Sequence, residues 1–172
     1  MMLAVSVWLG DTGRYGVMNA LALDVGQGES VALWSGKEAA LVDCGSSNSY
    51  VDAGGVAAEG DLNEQGLSAL ATAGDFDLLV TGDMAGSTER KLAETYPLPD
   101  IEVLVVSHHG SRYSSDETFL RAVRPEVGII SVGDNSYGHP SGQAMERLED
   151  IGADIWRTDR QGTVRVTVKG ED

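Results

Sequence analysis

The side chains best suited to chemistry in this chain stand beside glycine, after apolar runs. Asp83 ends a Thr-Gly-Asp motif, His108 and His109 open His-His-Gly-Ser, and His139 lies in Gly-His-Pro; these are the chain's only histidines. Imidazole and carboxylate suit zinc or manganese, and water bound to such an ion becomes a nucleophile near neutral pH. The cluster therefore predicts metal-assisted hydrolysis, with Asp83, His108 and His109 as catalytic residues and candidate metal ligands, where either His108 or His109 would bind the ion together with Asp83. His139 is predicted as a further catalytic residue.

Neighbouring side chains extend this prediction to a phosphate-containing substrate. Ser111 offers a hydroxyl group, and Arg112 can pair with a phosphate through two parallel hydrogen bonds. Asn135 follows another apolar run, and Ser111 and Asn135 are the predicted substrate-binding residues. The later serines, Ser114 and Ser115, are better explained by a capped turn before a helix. A Ser/His/Asp hydrolase is the competing enzyme class, but the chain has no Gly-x-Ser-x-Gly motif.

Strands and helices must alternate from residue 76 onward to position these residues. Apolar runs predict strands at 76–80, 101–106, 127–132, 154–157 and 163–168. Helical patterns lie between them, at 87–96 with Ser87 as N-cap, at 116–123, and from the capping Ser141 to about 151. Functional groups gather at the carboxyl ends of strands in α/β sheets, where the motifs fall. The alternation predicts an α/β layered domain.

The first part of the chain has shorter elements. Residues 20–25, 30–34, 39–42 and 67–71 are predicted strands, and residues 46–60 are small, polar and glycine-rich. Residues 1–19 are an N-terminal leader or a first strand, because the apolar start is too short to span a bilayer. Residues 20–172 form the predicted domain.

Net charge and cysteine content limit the classes of function and site that are possible. The 172-residue chain has a net charge of −15, which opposes an extended nucleic-acid-binding surface of lysine and arginine. An acidic enzyme can still cleave a phosphodiester if metal ions supply the positive charge. Cys44 is the only cysteine, so an internal disulfide and a thiolate zinc cluster are both excluded.

Five motifs stand in a fixed order along the chain. They are Leu-Asp-Val-Gly-Gln-Gly-Glu-Ser at 23–30, Leu-Val-Asp-Cys-Gly at 41–45, Leu-Leu-Val-Thr-Gly-Asp at 78–83, Ser-His-His-Gly-Ser at 107–111 and Asn-Ser-Tyr-Gly-His-Pro at 135–140. In this order they resemble the metallo-β-lactamase-like domain of ComEC-type DNA-internalisation competence proteins. The likeness runs from residue 20 to residue 168.

This resemblance implies a fold and a role. The fold would be a metallo-β-lactamase-like αββα sandwich, and the role would be cleavage of phosphodiesters during DNA uptake. Zinc or manganese would be the cofactor and DNA the substrate. A membrane-channel domain would be the partner, at the outer face of a bacterial cytoplasmic membrane.

One departure from the family pattern bears on activity. The motif His-x-His-x-Asp-His is absent, because no histidine precedes His108. The sequence therefore indicates an internal deletion near residue 60 and a sandwich truncated in its first half, without most ligands of a first metal. Asp24 and Asp43 are expected to be mainly structural. Two alternatives follow: a degenerate, non-catalytic remnant or interaction module, and a small phosphoester hydrolase of the same fold.

Overall fold

The computed structural model describes residues 4–8, 17–22, 29–35, 38–44 and 68–169. Within these ranges the chain forms two β-sheets and several short helices, which confirms a mixed α/β fold. The strands are β1 (Ala4–Trp8), β2 (Val17–Ala22), β3 (Ser30–Ser35), β4 (Glu38–Cys44), β5 (Ser68–Ala73), β6 (Phe76–Val80), β7 (Val103–Val105), β8 (Val127–Ile130), β9 (Asp154–Arg157) and β10 (Val164–Lys169). The helices are α1 (Gly86–Thr95), α2 (Glu117–Val123), α3 (Gly142–Asp150) and α4 (Thr158–Gln161).

The larger sheet has six strands in the order β1-β5-β6-β7-β8-β9. Strands β6, β7, β8 and β9 are parallel neighbours, and Val80 pairs with Val105, which pairs with Ile129. The segments that follow β6, β7 and β8 therefore emerge side by side at one edge of the sheet. The smaller sheet is antiparallel throughout, in the order β10-β2-β3-β4.

Successive side chains of a central strand point to opposite faces of the larger sheet, and each face packs into a different hydrophobic core. In β6, Leu78 and Val80 join the core between the two sheets, whereas Leu79 joins the core beneath the helices. Burying one such side chain contributes roughly 1.5–3 kcal/mol. The described residues thus show helices on one face of the larger sheet and the smaller sheet on the other. The helical core includes Phe119, Leu120, Val123 and Leu148, all fully buried.

The helix starts differ in how well sequence predicted them. Asp116 and Ser141 are the N-caps of α2 and α3, and each side chain accepts a backbone N–H, as expected of caps. The prediction that Ser87 caps α1 is wrong, because the helix begins at Gly86 after Ala85. The N–H of Gly86 donates to the carbonyl of Tyr113 at 2.7 Å, so a backbone acceptor from another loop replaces the side-chain cap.

Other outcomes concern the extent of the elements. Strands at 76–80 and 154–157 are confirmed, whereas β7 is shorter than the apolar run at 101–106, and α4 was not predicted. The glycine-rich residues 46–60 and the expected deletion point lie outside the described residues, as does Asp24. Asp43 lies on β4. Within the described ranges, no helix has the length and apolar character needed to cross a membrane.

Candidate functional site

Backbone hydrogen bonds join the loops at the carboxyl edge of β6, β7 and β8. The N–H of His108 donates to the carbonyl of Gly82 at 2.9 Å, which ties the β7 loop to the β6 loop. The N–H of Ser141 donates to the carbonyl of Gly110 at 2.8 Å, which ties the β8 loop to the β7 loop. The sheet order and these bonds bring Asp83, His108, His109 and His139 to one edge, although they lie far apart in sequence.

The two consecutive histidines have left-handed backbone conformations. His108 has φ 51° and His109 has φ 54°, and Gly110 follows with φ 74°. Such a conformation costs a non-glycine residue roughly 1–2 kcal/mol. Strained backbone persists where the surrounding structure over-determines it, and it concentrates at functional sites. The turn is closed by the N–H of Ser111, which donates to the carbonyl of His108 at 2.9 Å.

Asp83 and His109 form the closest acid–imidazole pair of the site. Nε2 of the buried His109 lies 3.5 Å from Oδ1 of the half-exposed Asp83. The other ring nitrogen, Nδ1, lies 2.8 Å from the carbonyl oxygen of Ser131. A carbonyl only accepts, so Nδ1 carries the proton that it donates. With Nδ1 committed to this carbonyl, Nε2 is the ring nitrogen that faces the carboxylate oxygen, and it presents a lone pair there when the ring carries no second proton.

The distance between these two atoms suits a shared cation. Two ligands of one tetrahedral zinc ion, each about 2.05 Å from it, lie about 3.4 Å apart. The pair thus fits as two ligands of one ion. In the described part of the chain, no group of three His, Cys, Asp or Glu side chains is arranged to hold a metal. Asp83 and His109 alone would therefore complete only part of a coordination sphere.

His108 lies between His109 and His139. Its ring centroid is 6.4 Å from that of His109 and 5.7 Å from that of His139. Nδ1 of His139 is buried and has no hydrogen-bond partner among the described residues. Burial lowers the pKa of His139, and the charges of the two other histidines lower it further. At neutral pH this lowered pKa favours the neutral ring, which is the form that binds metals and accepts protons.

Asn135 organises the loop that carries His139. Its side-chain Oδ1 accepts the N–H groups of Tyr137 at 3.1 Å and His139 at 3.0 Å. Its Nδ2 donates to the carbonyls of Gly133 and His139, both at 2.9 Å. The amide group thus makes four hydrogen bonds inside one loop, a positioning role that the sequence analysis missed. Contact between Asn135 and a substrate stays a prediction.

The serines after the histidines support the turn. Ser114 Oγ lies 2.9 Å from the carbonyl oxygen of Ser107 and 3.0 Å from that of Ser111, so Ser114 has the predicted role in the turn, while the cap of the following helix is Asp116. Ser111 is 1% exposed, and its Oγ accepts the N–H of Tyr113 at 3.3 Å. A hydroxyl contact from Ser111 to a substrate stays a prediction.

A buried hydrogen-bond chain behind the site was also missed from sequence. Thr81 Oγ1 lies 2.8 Å from the carbonyl oxygen of Val105 and 2.6 Å from Oγ of Ser107. Oγ of Ser107 lies in turn 2.5 Å from Oε1 of Glu89, a residue of α1. Glu89 reads as a solvent-exposed helix residue in the sequence, yet it is 1% exposed. Its spacing from the partly buried Leu92 and Ala93 was the available signal, since residues three or four apart share a helix face.

A polar cavity of about 520 Å³ lies on the other side of the serine turn. Three arginines line it, in a chain that has only 12 basic residues. Arg90 pairs with Asp116 at 2.6 Å, whereas Arg147 donates to the carbonyls of Arg112 and Ser114 at 3.1 and 2.8 Å. The guanidinium of Arg112 lies over the ring of the exposed Tyr113. Its charge also lowers the pKa of His139, although less than burial and the other two histidines do. Arg112 thus lies within electrostatic reach of the histidine cluster.

Comparison with known proteins gives three informative relatives. No family model matches the sequence. The chain is 33% identical over 97 residues to ComE operon protein 3 of Bacillus subtilis, 37% identical over 109 residues to competence protein ComA of Neisseria gonorrhoeae, and 42% identical over 94 residues to recombination protein 2 of Haemophilus influenzae. These matches cover 56%, 61% and 54% of this chain. They confirm the predicted likeness to competence proteins over that part.

The relatives are much longer than this chain. The matched parts make up 12%, 16% and 12% of the three proteins, in the same order. The similarity therefore concerns one portion of each relative.

Proposed function

We propose that this chain is a DNA-uptake domain with a metallo-β-lactamase-like αββα sandwich, whose edge site binds a divalent cation and cleaves phosphodiesters. The observation that carries the proposal is the Asp83–His109 pair, in which Nε2 of the imidazole and Oδ1 of the carboxylate face each other at 3.5 Å. The likeness to competence proteins supports the role in DNA uptake. The helix–sheet–sheet layering of the described residues supports the sandwich.

The pair supports cation binding because its two facing atoms repel each other when His109 is neutral. A second proton on the ring or a cation between the atoms removes that repulsion. Ser131 fixes the orientation of the ring through Nδ1, as carbonyls commonly do for histidines that bind metals. A zinc or manganese ion, when bound, supplies a nucleophilic water and polarises the phosphoryl oxygen.

Phosphodiester as the substrate class is supported by Arg112. Arg90 and Arg147 already have carboxylate or carbonyl partners, whereas Arg112 lies against an aromatic ring at the surface, one residue after Ser111. A planar guanidinium binds a phosphate group through two parallel hydrogen bonds. Arg112 would hold the substrate phosphate next to the histidine cluster, in a molecule whose overall charge repels DNA.

The setting proposed for this domain follows the same resemblance. The domain would lie at the outer face of a bacterial cytoplasmic membrane, and its partner would be a membrane-channel domain. DNA strands entering through that channel would be the substrate.

A non-catalytic interaction module is the second candidate function. It is favoured by the lack of a three-ligand group among the described residues, since catalytic zinc sites have three protein ligands and an open position. A module of this kind would keep the fold and would bind a partner protein in DNA uptake without hydrolysing DNA.

Metal content after dialysis separates the two candidates. The proposal expects about one zinc or manganese ion per chain, lost in Asp83→Ala and His109→Ala. Asp134→Ala is the matched control, because Asp134 is an exposed carboxylate at the same sheet edge. Wild-type protein that retains well under one ion per chain would defeat the enzyme and favour the interaction module.

Hydrolysis assays then identify the substrate. Single-stranded DNA, double-stranded DNA and bis(p-nitrophenyl) phosphate are incubated with wild type and Asp83→Ala in the presence of Mn²⁺. Loss of DNA cleavage in the variant supports the proposed role. If the two proteins differ only on the small diester, DNA is not the substrate, and the small phosphoester hydrolase gains support.

A further inference from the structure

Glu89 places a carboxyl group inside the protein, directly behind the site edge. It lies on α1 and is 1% exposed, and its Oε2 accepts the N–H of Asp116 at 2.7 Å. Its Oε1 lies 2.5 Å from Oγ of Ser107. Ser107 is two residues before His109, and Thr81, the next member of the chain of hydroxyls, is two residues before Asp83.

Counting the hydroxyl hydrogens of Thr81 and Ser107 determines which group donates in each of these contacts. The carbonyl of Val105 only accepts, so Thr81 donates its one hydroxyl hydrogen there. Ser107 must then donate its own hydrogen across the 2.6 Å contact with Thr81. No hydrogen of Ser107 is left for the 2.5 Å contact with Glu89. That contact requires a hydrogen on Oε1 of Glu89.

We propose that Glu89 is a neutral carboxylic acid in the folded protein and that it positions the two strand ends that carry Asp83 and His109. The proton on Oε1 completes an unbroken series of hydrogen bonds from α1 to β7. Oε2 meanwhile holds the loop at Asp116. The first part of this inference stands on the hydrogen count alone, whereas the second part rests on the proposed metal-binding function.

The surroundings of Glu89 favour the neutral form. Burial raises the pKa of Glu89, and the nearby Asp116 carboxylate raises it too, whereas the contact with the Ser107 hydroxyl and the backbone N–H groups of Asp116 and Ser115 lower it. The other charged group on this side is Arg90, which pairs with Asp116. Among the described residues, no positively charged side chain donates a hydrogen bond to Glu89. A buried carboxylate without a cationic partner is costly, and it takes up a proton instead.

Infrared spectroscopy tests the protonation state without any metal or substrate. A difference spectrum of wild type minus Glu89→Gln at neutral pH should contain the carbonyl stretch of a protonated carboxylic acid. A carboxylate band in that difference spectrum would overturn the inference. Glutamine is the informative variant, because its NH₂ group donates to Ser107 while its carbonyl accepts from Asp116, as the neutral acid does.

The pH dependence of unfolding gives a second test. A folded-state pKa above the unfolded value of 4.5 means that the stabilisation is complete below pH 4.5 and is lost as the pH rises to the folded pKa. Over that window the unfolding equilibrium constant of wild type should rise relative to that of Glu89→Gln by up to about tenfold per pH unit. A ratio that is independent of pH above 4.5 would contradict a raised pKa.

Titration with Mn²⁺ and Zn²⁺ tests the positioning role. Glu89→Gln should bind within about twofold of wild type, and Glu89→Ala should bind at least tenfold more weakly, in line with the 10–100-fold typical of residues that orient ligands. Glu94→Gln is the control, an exposed glutamate on the same helix. Equal affinity of Glu89→Ala and wild type would overturn positioning. If wild type binds neither ion, the proposed function fails, and the infrared and pH results still decide the state of Glu89.

Discussion

The two halves of the candidate site are held in different ways. The inner half, Asp83 and His109, follows strands tied together by the buried chain of Thr81, Ser107 and Glu89. The outer half, His139, lies in a partly exposed loop whose hydrogen bonds come from Asn135 within the same loop. The position of the inner half thus depends on buried contacts between separate parts of the fold, whereas the position of the outer half depends on hydrogen bonds within one loop.

The two halves should therefore respond differently to substitution. Removing a buried polar partner leaves another buried group unsatisfied, at a cost of roughly 1–3 kcal/mol. Freed groups in a surface loop can instead bond to water, so the cost there is smaller. Damage to the inner half should therefore spread, and damage to the outer half should stay local.

We expect the largest loss of stability from a substitution at Gly110, where the loop of the inner half contacts the loop of the outer half. Gly110 has φ 74°, and a Cβ atom built on it would lie 2.7 Å from Cβ of Pro140. Gly110→Ala should lower the free energy of unfolding by about 2–4 kcal/mol, because it combines left-handed strain with overpacking. Chemical denaturation measures this loss.

Gly142→Ala is the matched control for that substitution. Gly142 is the first residue of α3 and has open space where a Cβ would be. Its stability should equal or exceed that of wild type. A similar loss in both variants would mean that the contact between Gly110 and Pro140 does not join the halves.

How far sequence could predict this edge depends on the kind of contact involved. Apolar runs and glycine-flanked motifs were enough to predict that Asp83, His108, His109 and His139 follow neighbouring strands. The burial of Glu89 was missed, because a helical glutamate is charged and exposed unless tertiary contacts bury it. The role of Asn135 depends on loop geometry that no periodicity encodes. Ser87 was assigned as a cap because the acceptor for α1 comes from Tyr113, about 27 residues away in sequence.

Asn135→Ala should have an intermediate effect that is confined to the outer half. We expect a loss of about 1 kcal/mol in the free energy of unfolding and faster hydrogen exchange at the amides of Tyr137 and His139. Metal affinity at Asp83 and His109 should change less than in Glu89→Ala. Asn135→Asp keeps the acceptor for the two amides and should protect them from exchange better than alanine does. A spread of fast exchange to β7 would contradict the local character of this loop.

Ser87→Ala should have the smallest effect. A true N-cap serine contributes about 1 kcal/mol, whereas an exposed helix residue contributes within about 0.5 kcal/mol. Ser87 is exposed and lies inside α1, so thermal unfolding of the variant should match wild type. Asp116→Ala, which removes a real cap and the partner of Arg90, is the positive control. A clear loss in Ser87→Ala would restore the serine cap predicted from sequence.

The order of strands β6, β7 and β8 along the chain has a consequence for folding. Successive parallel strands with short helical crossovers give contacts of modest sequence separation, and closing such loops costs little entropy. The hydrogen bonds from Thr81, Ser107, His108, His109, Asn135 and Ser141 that were described for this edge join residues between 81 and 141. We therefore expect this edge to form early in folding. The smaller sheet should form later, because its strands β2 and β10 pair across nearly the full length of the chain.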